Sequence, residues 1–325
     1  MQNKNTIITF DYELFLGEKS GTAQKSILEP TDKIITLLKQ YKAKAIFFVD
    51  TTYLMTLKKY NHRDFFKISK QLQEIVKIGS SVELHLHPQW LDAKPNKNEW
   101  IFESFNRYRL HSLSQQEIIK LFEEGSCLLE DITNTKIQAF RAGGWSITPF
   151  EKLKEAFVKC GIKIDMSVLP NFYKNELPMH YYDFRNVSSK NIYKFEDDVS
   201  KENKDGTFLE IPVTTYYVNG IDLVINNLIK KIKYKPIYGD GKGLKTANEN
   251  KNKFLRIFKK NIRNATFEGQ SEWFFNKSLK LLEKLPIIHF VSHPKTFNQT
   301  ALNNMEKILK KYNTLNTNDI LKEFM

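Results

Sequence analysis

Val82-Glu83-Leu84-His85-Leu86-His87-Pro88-Gln89-Trp90, VELHLHPQW, alternates apolar and polar residues as a short half-buried strand does, yet two of its positions are imidazoles. Residues i and i+2 of a strand share a face, so His85 and His87 project together while Val82, Leu84 and Leu86 pack the other way. Pro88 stops the strand and leaves the pair at its C-terminal end, which is where α/β folds of parallel strands place their chemistry. A lone strand histidine is usually a satisfied core residue. Two neighbouring buried imidazoles are costly to desolvate unless they share a cation.

Outward from this strand the chain alternates strand-like and helix-like segments. Thr6 to Phe10 is a short apolar strand, Pro30 and Thr31 open a helix with Ile34, Ile35, Leu37, Leu38 and Tyr41 on one face, and Ala45 to Val49 is a buried strand. A helix over Asp64 to Lys77 ends at Gly79, just before the histidine strand. Ser114 with Glu117, and Thr148 and Pro149 with Glu151, carry capping signatures. Strands follow at Ile137 to Phe140 and Ile162 to Ile164. The rhythm fails after Asn171, where a hairpin from NIYKF and TFLEIPV and then a basic block intervene. It returns with a helix near Glu272 to Leu282, a strand at Ile287 to Val291 and two terminal helices. Repeated βα units without a break in composition predict one α/β domain over 1–325, a parallel barrel or doubly wound sheet, with an insertion over about 172–270.

The 325 residues suffice for a large core, and 24 Phe and 14 Tyr exclude a disordered chain. MQNKNTIITFDYE reads at once as strand and loop, so neither a signal peptide nor a membrane span is expected and the cytoplasm is the expected location. Cys127 and Cys160 read as buried thiols, not as a disulfide framework. The formal charge of +13 comes with an excess of Lys and Asn throughout. Its densest block is Lys230, Lys231, Lys233, Lys235, Lys242, Lys245, Lys251, Lys253, Arg256, Lys259, Lys260 and Arg263, opposed by Asp240 and Glu249. Such a block suits a peripheral contact with anionic lipid or an anionic carrier, and equally a solvated insertion. It lacks the interleaved aromatic pattern of a nucleic-acid groove, so no nucleic-acid partner is expected. GDGKGLK, Gly239 to Lys245, has neither the spacing nor the preceding strand of a phosphate loop.

Charged or imidazole side chains recur at other strand ends. Asp11 and Glu13 share a face in TFDYELF, Arg141 precedes a Gly-Gly turn in AFRAGGWS, Asp165 ends IKID, and IIHFVSHPK ends in His293 with His289 on the same face further in. Each alone has a structural reading: Asp11 or Glu13 as a loop cap, Arg141 or Asp165 as an ion-pair partner, His289 as packing. Five strand ends so equipped predict a site.

The motif order TFDYELFLG, LHLHPQW, FRAGGW, DMSVLPN and SHPK, over about residues 6 to 295, resembles the polysaccharide deacetylases of carbohydrate esterase family 4, in particular the branch associated with lipopolysaccharide and capsule biosynthesis. The resemblance implies a distorted (β/α)7 barrel and a divalent metal, zinc above all, held by one carboxylate and two histidines. It also implies hydrolysis of an acetyl group from an acetylated amino sugar, with Asp11 as catalytic base, Arg141 as its partner, His293 as general acid, and Asp165 in the catalytic set. Two departures bear on the metal. Tyr12 stands where the family has a second aspartate, so Glu13 becomes the expected carboxylate ligand. Gln89 stands four residues beyond His85, so His87 becomes the second imidazole. The chemistry asks for the same parts: a metal to polarise the carbonyl, a carboxylate to take a proton from water, and an imidazolium to protonate the leaving amine. Trp90 and Trp145 offer stacking faces for a sugar, or simply pack a lid. Two other readings stand beside this one: another barrel metal hydrolase, and a non-catalytic carbohydrate-binding or scaffold protein on the same fold.

Overall fold

The computed structural model describes residues 4–17, 19–96, 99–104, 106–177, 179–243 and 257–325. Lys245, Glu249, Lys251, Lys253 and Arg256 of the basic block lie outside them. Seven parallel strands form the frame: β1 (Asn5–Tyr12), β2 (Ile46–Asp50), β3 (Ser81–Leu86), β4 (Ala139–Ala142), β5 (Ile164–Asp165), β6 (Phe208–Glu210) and β7 (Ile288–Ser292). Their order in the sheet is β6-β5-β4-β3-β2-β1-β7, every neighbour parallel. Among the described residues the helices are α1 (Glu29–Tyr41), α2 (Thr51–Tyr60), α3 (His62–Lys77), α4 (Gln115–Thr133), α5 (Glu151–Cys160), α6 (Gly220–Ile232), α7 (Glu272–Leu282), α8 (Gln299–Leu309) and α9 (Thr317–Phe324).

The sheet curls into the expected distorted (β/α)7 barrel, and the distortion is at one seam. β6 and β7 do not pair directly. The chain leaving β6 stitches them instead: the Thr214 amide donates to the His289 carbonyl (3.1 Å), and the His289 amide donates to the Thr214 hydroxyl (2.8 Å). Residue 265 completes the stitch, with its amide on the Thr214 carbonyl and its own carbonyl taking the Val291 amide. Tyr193–Phe195 adds antiparallel to β6, as the hairpin reading expects. The sixth barrel strand therefore sits inside the stretch 172–270 that the sequence reads as inserted.

Local signals explain most helix starts. The Ser114 hydroxyl accepts the Glu117 amide and the Glu117 carboxylate accepts the Ser114 amide, the reciprocal cap that opens α4. The Thr148 signature does not form: α5 starts after Phe150 with no side-chain cap, and the Thr148 hydroxyl is buried without a partner. Cys127 is exposed on α4, not buried as expected, and neither cysteine is in a disulfide. No helix among the described residues is long and apolar enough to cross a membrane.

The barrel interior is divided along its axis. Its N-terminal floor is mainly apolar, from Ile7, Ile46, Phe48, Ala139, Ile164 and Leu209, with the Glu83 carboxyl buried at the same level against the Gln138 and Ala139 amides. Above it the inward-facing residues at or next to the strand ends are polar: Asp11, Asp50, His85, Arg141, Asp165 and Glu210, all buried. Outside the sheet, α4 and α5 pack through an aromatic cluster in which Phe157 meets Phe122, Phe140, Phe150 and Phe208 at centroid distances of 5.0–5.8 Å. Phe157→Ala removes the hub of that cluster and should cost about 3–5 kcal/mol in urea unfolding, whereas Phe66→Ala, on an exposed ring, should stay within about 0.5 kcal/mol. Equal effects of the two would show that the cluster does not carry the helix layer.

Candidate active site

The alternation of β1 turns Ile7, Thr9, Asp11 and Glu13 to the barrel axis, and β3 turns His85 and His87 to meet them. Glu13 is the point of convergence. Its Oε2 lies 2.8 Å from His87 Nε2 and 3.6 Å from His85 Nε2. Its Oε1 accepts from the Lys295 ammonium at 2.9 Å and lies 3.7 Å from His293 Nε2. The His85 Nδ1–H donates to the Arg141 carbonyl at 2.7 Å, which leaves the Nε2 lone pair facing Glu13. Close backbone approach makes room for the second imidazole: a Cβ on Gly143 would lie 2.5 Å from the Leu86 carbonyl oxygen and 2.8 Å from His87 Nδ1. That is the work of the first glycine in FRAGGW.

Arg141 is wholly buried and fully engaged. It pairs with Asp11 Oδ1, donates from Nη2 to Thr9 Oγ1 (2.9 Å) and from Nε to the Met166 carbonyl (2.9 Å), and lies over the Phe48 ring at 4.3 Å. Nη2 also lies 3.1 Å from His289 Nε2, while His289 Nδ1 faces the Ile211 and Pro212 carbonyls. That arrangement suits a neutral ring, and burial together with the neighbouring guanidinium pushes the His289 pKa down to about 3. His289 is thus part of the packing of the seam, as its position suggests.

His293 stands on the other side of Asp11, its Nε2 3.5 Å from Asp11 Oδ2. Its Nδ1 lies 2.8 Å from Glu268 Oε1, and Glu268 Oε2 accepts both the His293 amide and the Thr296 hydroxyl. Burial opposes charge on each of these groups, and the neighbours decide the balance. For Asp11, burial is outweighed by Arg141, then His293 and His85, and its pKa falls below the usual carboxylate value. For Glu13, burial is outweighed by Lys295 and the two histidines, and the pKa falls further. His293 moves the other way: burial lowers it, but Glu268 and Asp11 raise it on balance. His85 is likewise raised, by Glu13 and Asp11 against burial.

The expected residues Asp11, Glu13, His85, His87, Arg141 and His293 therefore meet at one place. Asp165 does not join them. Its carboxylate accepts the Ser167 amide and hydroxyl at 3.0 and 2.7 Å, and it sits beside Glu210 deeper in the barrel. Trp90 is fully buried against Tyr53, Trp100 and Phe102, so its ring has no free face for a sugar. Trp145 is half-buried beside Arg141 and remains at the rim. Three contributors escaped the sequence reading. Lys295 follows His293 by two residues and was available to the same spacing argument, Asp50 ends β2, and Glu268 lies within the stretch read as inserted, with no local signal.

The donor set fits a divalent ion. His85 Nε2 is buried without a hydrogen-bond partner and Glu13 Oε2 meets only the imidazole edges, so with His87 they present one carboxylate oxygen and two ring nitrogens within 4.8 Å of one another. Glu13 also falls within 4.8 Å of Asp11 and His293, but Asp11 is already committed to Arg141.

The strand ends of this barrel gather one carboxylate and two imidazoles beside the Asp11–Arg141 and His293–Glu268 pairs. The family model described as polysaccharide deacetylase matches residues 1–162, which contain Asp11, Glu13, both histidines and Arg141. No curated protein matches the sequence. Among solved structures, a protein from Mycobacterium smegmatis assigned to the polysaccharide deacetylases is similar over 99% of this chain and 90% of its own, at 13% identity and a TM-score of 0.51. A 4-alpha-glucanotransferase from Thermococcus litoralis is similar over 99% of this chain and 38% of its own, at 11% identity and a TM-score of 0.53. A family 4 carbohydrate esterase from Streptomyces lividans, in complex with acetate, aligns over 50% of this chain at 15% identity and a TM-score of 0.33, and the chain spans 62% of that esterase's length. The first two likenesses are of fold, which hosts different chemistries in those two proteins.

The buried carboxyls of Asp165 and Glu210 generate a pH effect of their own. Burial, and for Glu210 the facing Asp165, raise both pKa values above the ordinary carboxyl range. A raised folded pKa gives stability that is complete below the unfolded value of about 4 and is lost as pH rises through the folded value, about 1.4 kcal/mol for each unit of difference. Glu210→Gln keeps the neutral form at every pH, so its Tm relative to the parent chain should rise as pH increases above about 4. A Tm difference that does not vary with pH would mean that the pair is not protonated in the fold.

Proposed function

We infer that the chain is a metal-dependent deacetylase that hydrolyses the acetyl group of an acetylated amino sugar in cell-surface polysaccharide assembly, on the lipopolysaccharide and capsule side of the family. The observation that carries this reading is the joint placement of two differently tuned pairs, Asp11 with Arg141 and His293 with Glu268, on either side of the Glu13, His85 and His87 donor set. Those three residues would hold the ion, zinc being suited to one oxygen and two nitrogens with open positions. Bound there, a divalent ion polarises an acetyl carbonyl and acidifies water.

The chain's own residues supply the proton traffic. Asp11, kept ionised by Arg141, takes the proton of the attacking water at Oδ2, the oxygen that Arg141 leaves free. His293, held at Nδ1 by Glu268 and charged more readily for it, gives the proton at Nε2 to the departing amine. Lys295 and the imidazoles keep Glu13 a carboxylate. Trp145 at the rim is the remaining candidate for stacking on the sugar ring, and a carrier-linked substrate goes with a cytoplasmic or membrane-face location. A non-catalytic carbohydrate-binding protein on the same fold is favoured by one observation, the Lys295 ammonium already seated on Glu13 Oε1.

Metal titration and acetate release separate these roles. Glu13→Gln, and the joint His85→Ala and His87→Ala change, should lose zinc binding and acetate release together. Asp11→Asn should keep zinc and lose turnover by about 10² to 10⁴. If Asp11→Asn empties the site while Glu13→Gln stays loaded, the two carboxylates exchange roles. Absence of stoichiometric zinc and of acetate release from a panel of acetylated amino sugars would leave the non-catalytic reading.

A further inference from the structure

Helix α6 is apolar on more than the side it packs. The side it turns to the protein mixes the half-buried Leu223, Ile225 and Ile229 with two polar anchors: Asp222 takes a 2.6 Å ion pair from Lys277, and Asn226 accepts the Ser271 amide at 2.8 Å. Both side chains are buried. The opposite face is apolar and in solvent. Ile221, Val224, Leu228 and Ile232 recur at i, i+3, i+7 and i+11 and are 55%, 38%, 53% and 81% exposed. Tyr234 continues the stripe beyond the helix at 73% exposure, and Phe258, 78% exposed, precedes the strand Lys260–Asn264, which pairs antiparallel with Thr215–Asn219 just before α6.

Cations flank this stripe. Lys230, Lys231, Lys233 and Lys235 are all exposed, and no ion pair joins them to an acidic side chain among the described residues. A helix that presents bulky aliphatic side chains beside unpaired lysines matches the requirements of an anionic bilayer surface, where the apolar face enters the acyl boundary and the ammonium groups meet lipid phosphates. A second copy of the chain fits less well, since a symmetric contact would bring the same lysines together.

The surface adjoins the active site through the backbone. The chain that follows α6 crosses the turn after His293: the Asn298 amide group donates to the Lys235 carbonyl (3.0 Å), the Tyr238 amide to the Phe297 carbonyl (2.8 Å) and the Gly239 amide to the Lys295 carbonyl (3.1 Å). On the other side, Asn226 holds the start of α7 three residues beyond Glu268. We propose that the apolar, lysine-flanked face of α6 is a peripheral membrane-docking surface that seats the mouth of the barrel against an anionic lipid bilayer. This docking does not depend on the deacetylase reading, because vesicle binding is measured without turnover.

The test is co-sedimentation of the full chain with phosphatidylcholine vesicles with and without phosphatidylglycerol. Binding should require phosphatidylglycerol and weaken as salt rises. The joint change Leu228→Ser and Ile232→Ser should reduce it by about tenfold or more, as should Lys231→Glu with Lys233→Glu. Phe66→Ser, an exposed aromatic on α3, should leave it unchanged. All these side chains are exposed, so each variant should keep the parent Tm, which confirms that lost binding is not lost folding. No binding to anionic vesicles at low salt overturns the proposal, as does binding that neither pair of changes alters. A dimer in light scattering that Leu228→Ser and Ile232→Ser dissolve, without vesicle binding, would assign the face to a second copy instead.

Discussion

The buried guanidinium of Arg141 is the group around which the upper barrel is organised. A permanent charge with no access to water must be met by partners in every direction. Arg141 is met by Asp11 and Thr9 from β1, the Met166 carbonyl after β5, and His289 from β7, with the Phe48 face beneath. Its own carbonyl fixes the tautomer of His85 on β3. One residue thus orients Asp11, the seam and one candidate ligand at once. Removing one partner of such a buried pair generally costs about 3–5 kcal/mol, so the contact constrains the fold as strongly as it serves the site.

The division of the barrel into an apolar floor and a charged upper layer follows from this arrangement. Phe48 separates the two, with Ile7, Ile46, Ile164 and Leu209 below and the ring of polar strand ends above. Low dielectric above the floor strengthens every pairing there and penalises every unpaired charge. That is why neighbouring groups of the same chemical type diverge. Asp11 and Glu13 are held ionised by cations, while Asp165 and Glu210, which face each other, are pushed toward the neutral acid. His289 is discharged by burial and by the Arg141 guanidinium, whereas Glu268 and Asp11 outweigh burial at His293.

Much of this was legible in the sequence because strand periodicity is local. His85 with His87, Asp11 with Glu13, and the position of Pro88 predict a shared face and a strand end without knowledge of neighbours. The capping pair at Ser114 and Glu117 is equally local. The illegible parts are those decided by distant chain. Glu268 reaches His293 only because residue 265 stitches the seam. Phe208–Glu210 becomes a barrel strand only because Ile164–Asp165 leaves an edge for it. Trp90 falls to the packing alternative because Tyr53, Trp100 and Phe102, distant or loop-borne, enclose it. The exposed side of α6 was legible as a basic block but not as an apolar stripe, since helical periodicity does not reveal which side meets the protein.

The position of β1 in the sheet has a kinetic consequence. It is the first of the seven barrel strands, yet it lies inside the sheet order, with β2 on one side and β7, about 280 residues later, on the other. During synthesis β1 can acquire its first neighbour early and must wait for its second until β7 has emerged, with its hydrogen-bonding edge open in the meantime. His293 and Lys295 arrive on that last strand and the turn after it. Asp11 and Glu13 therefore acquire their final electrostatic partners in the same late event that closes the sheet, and ring closure and site assembly become one folding step.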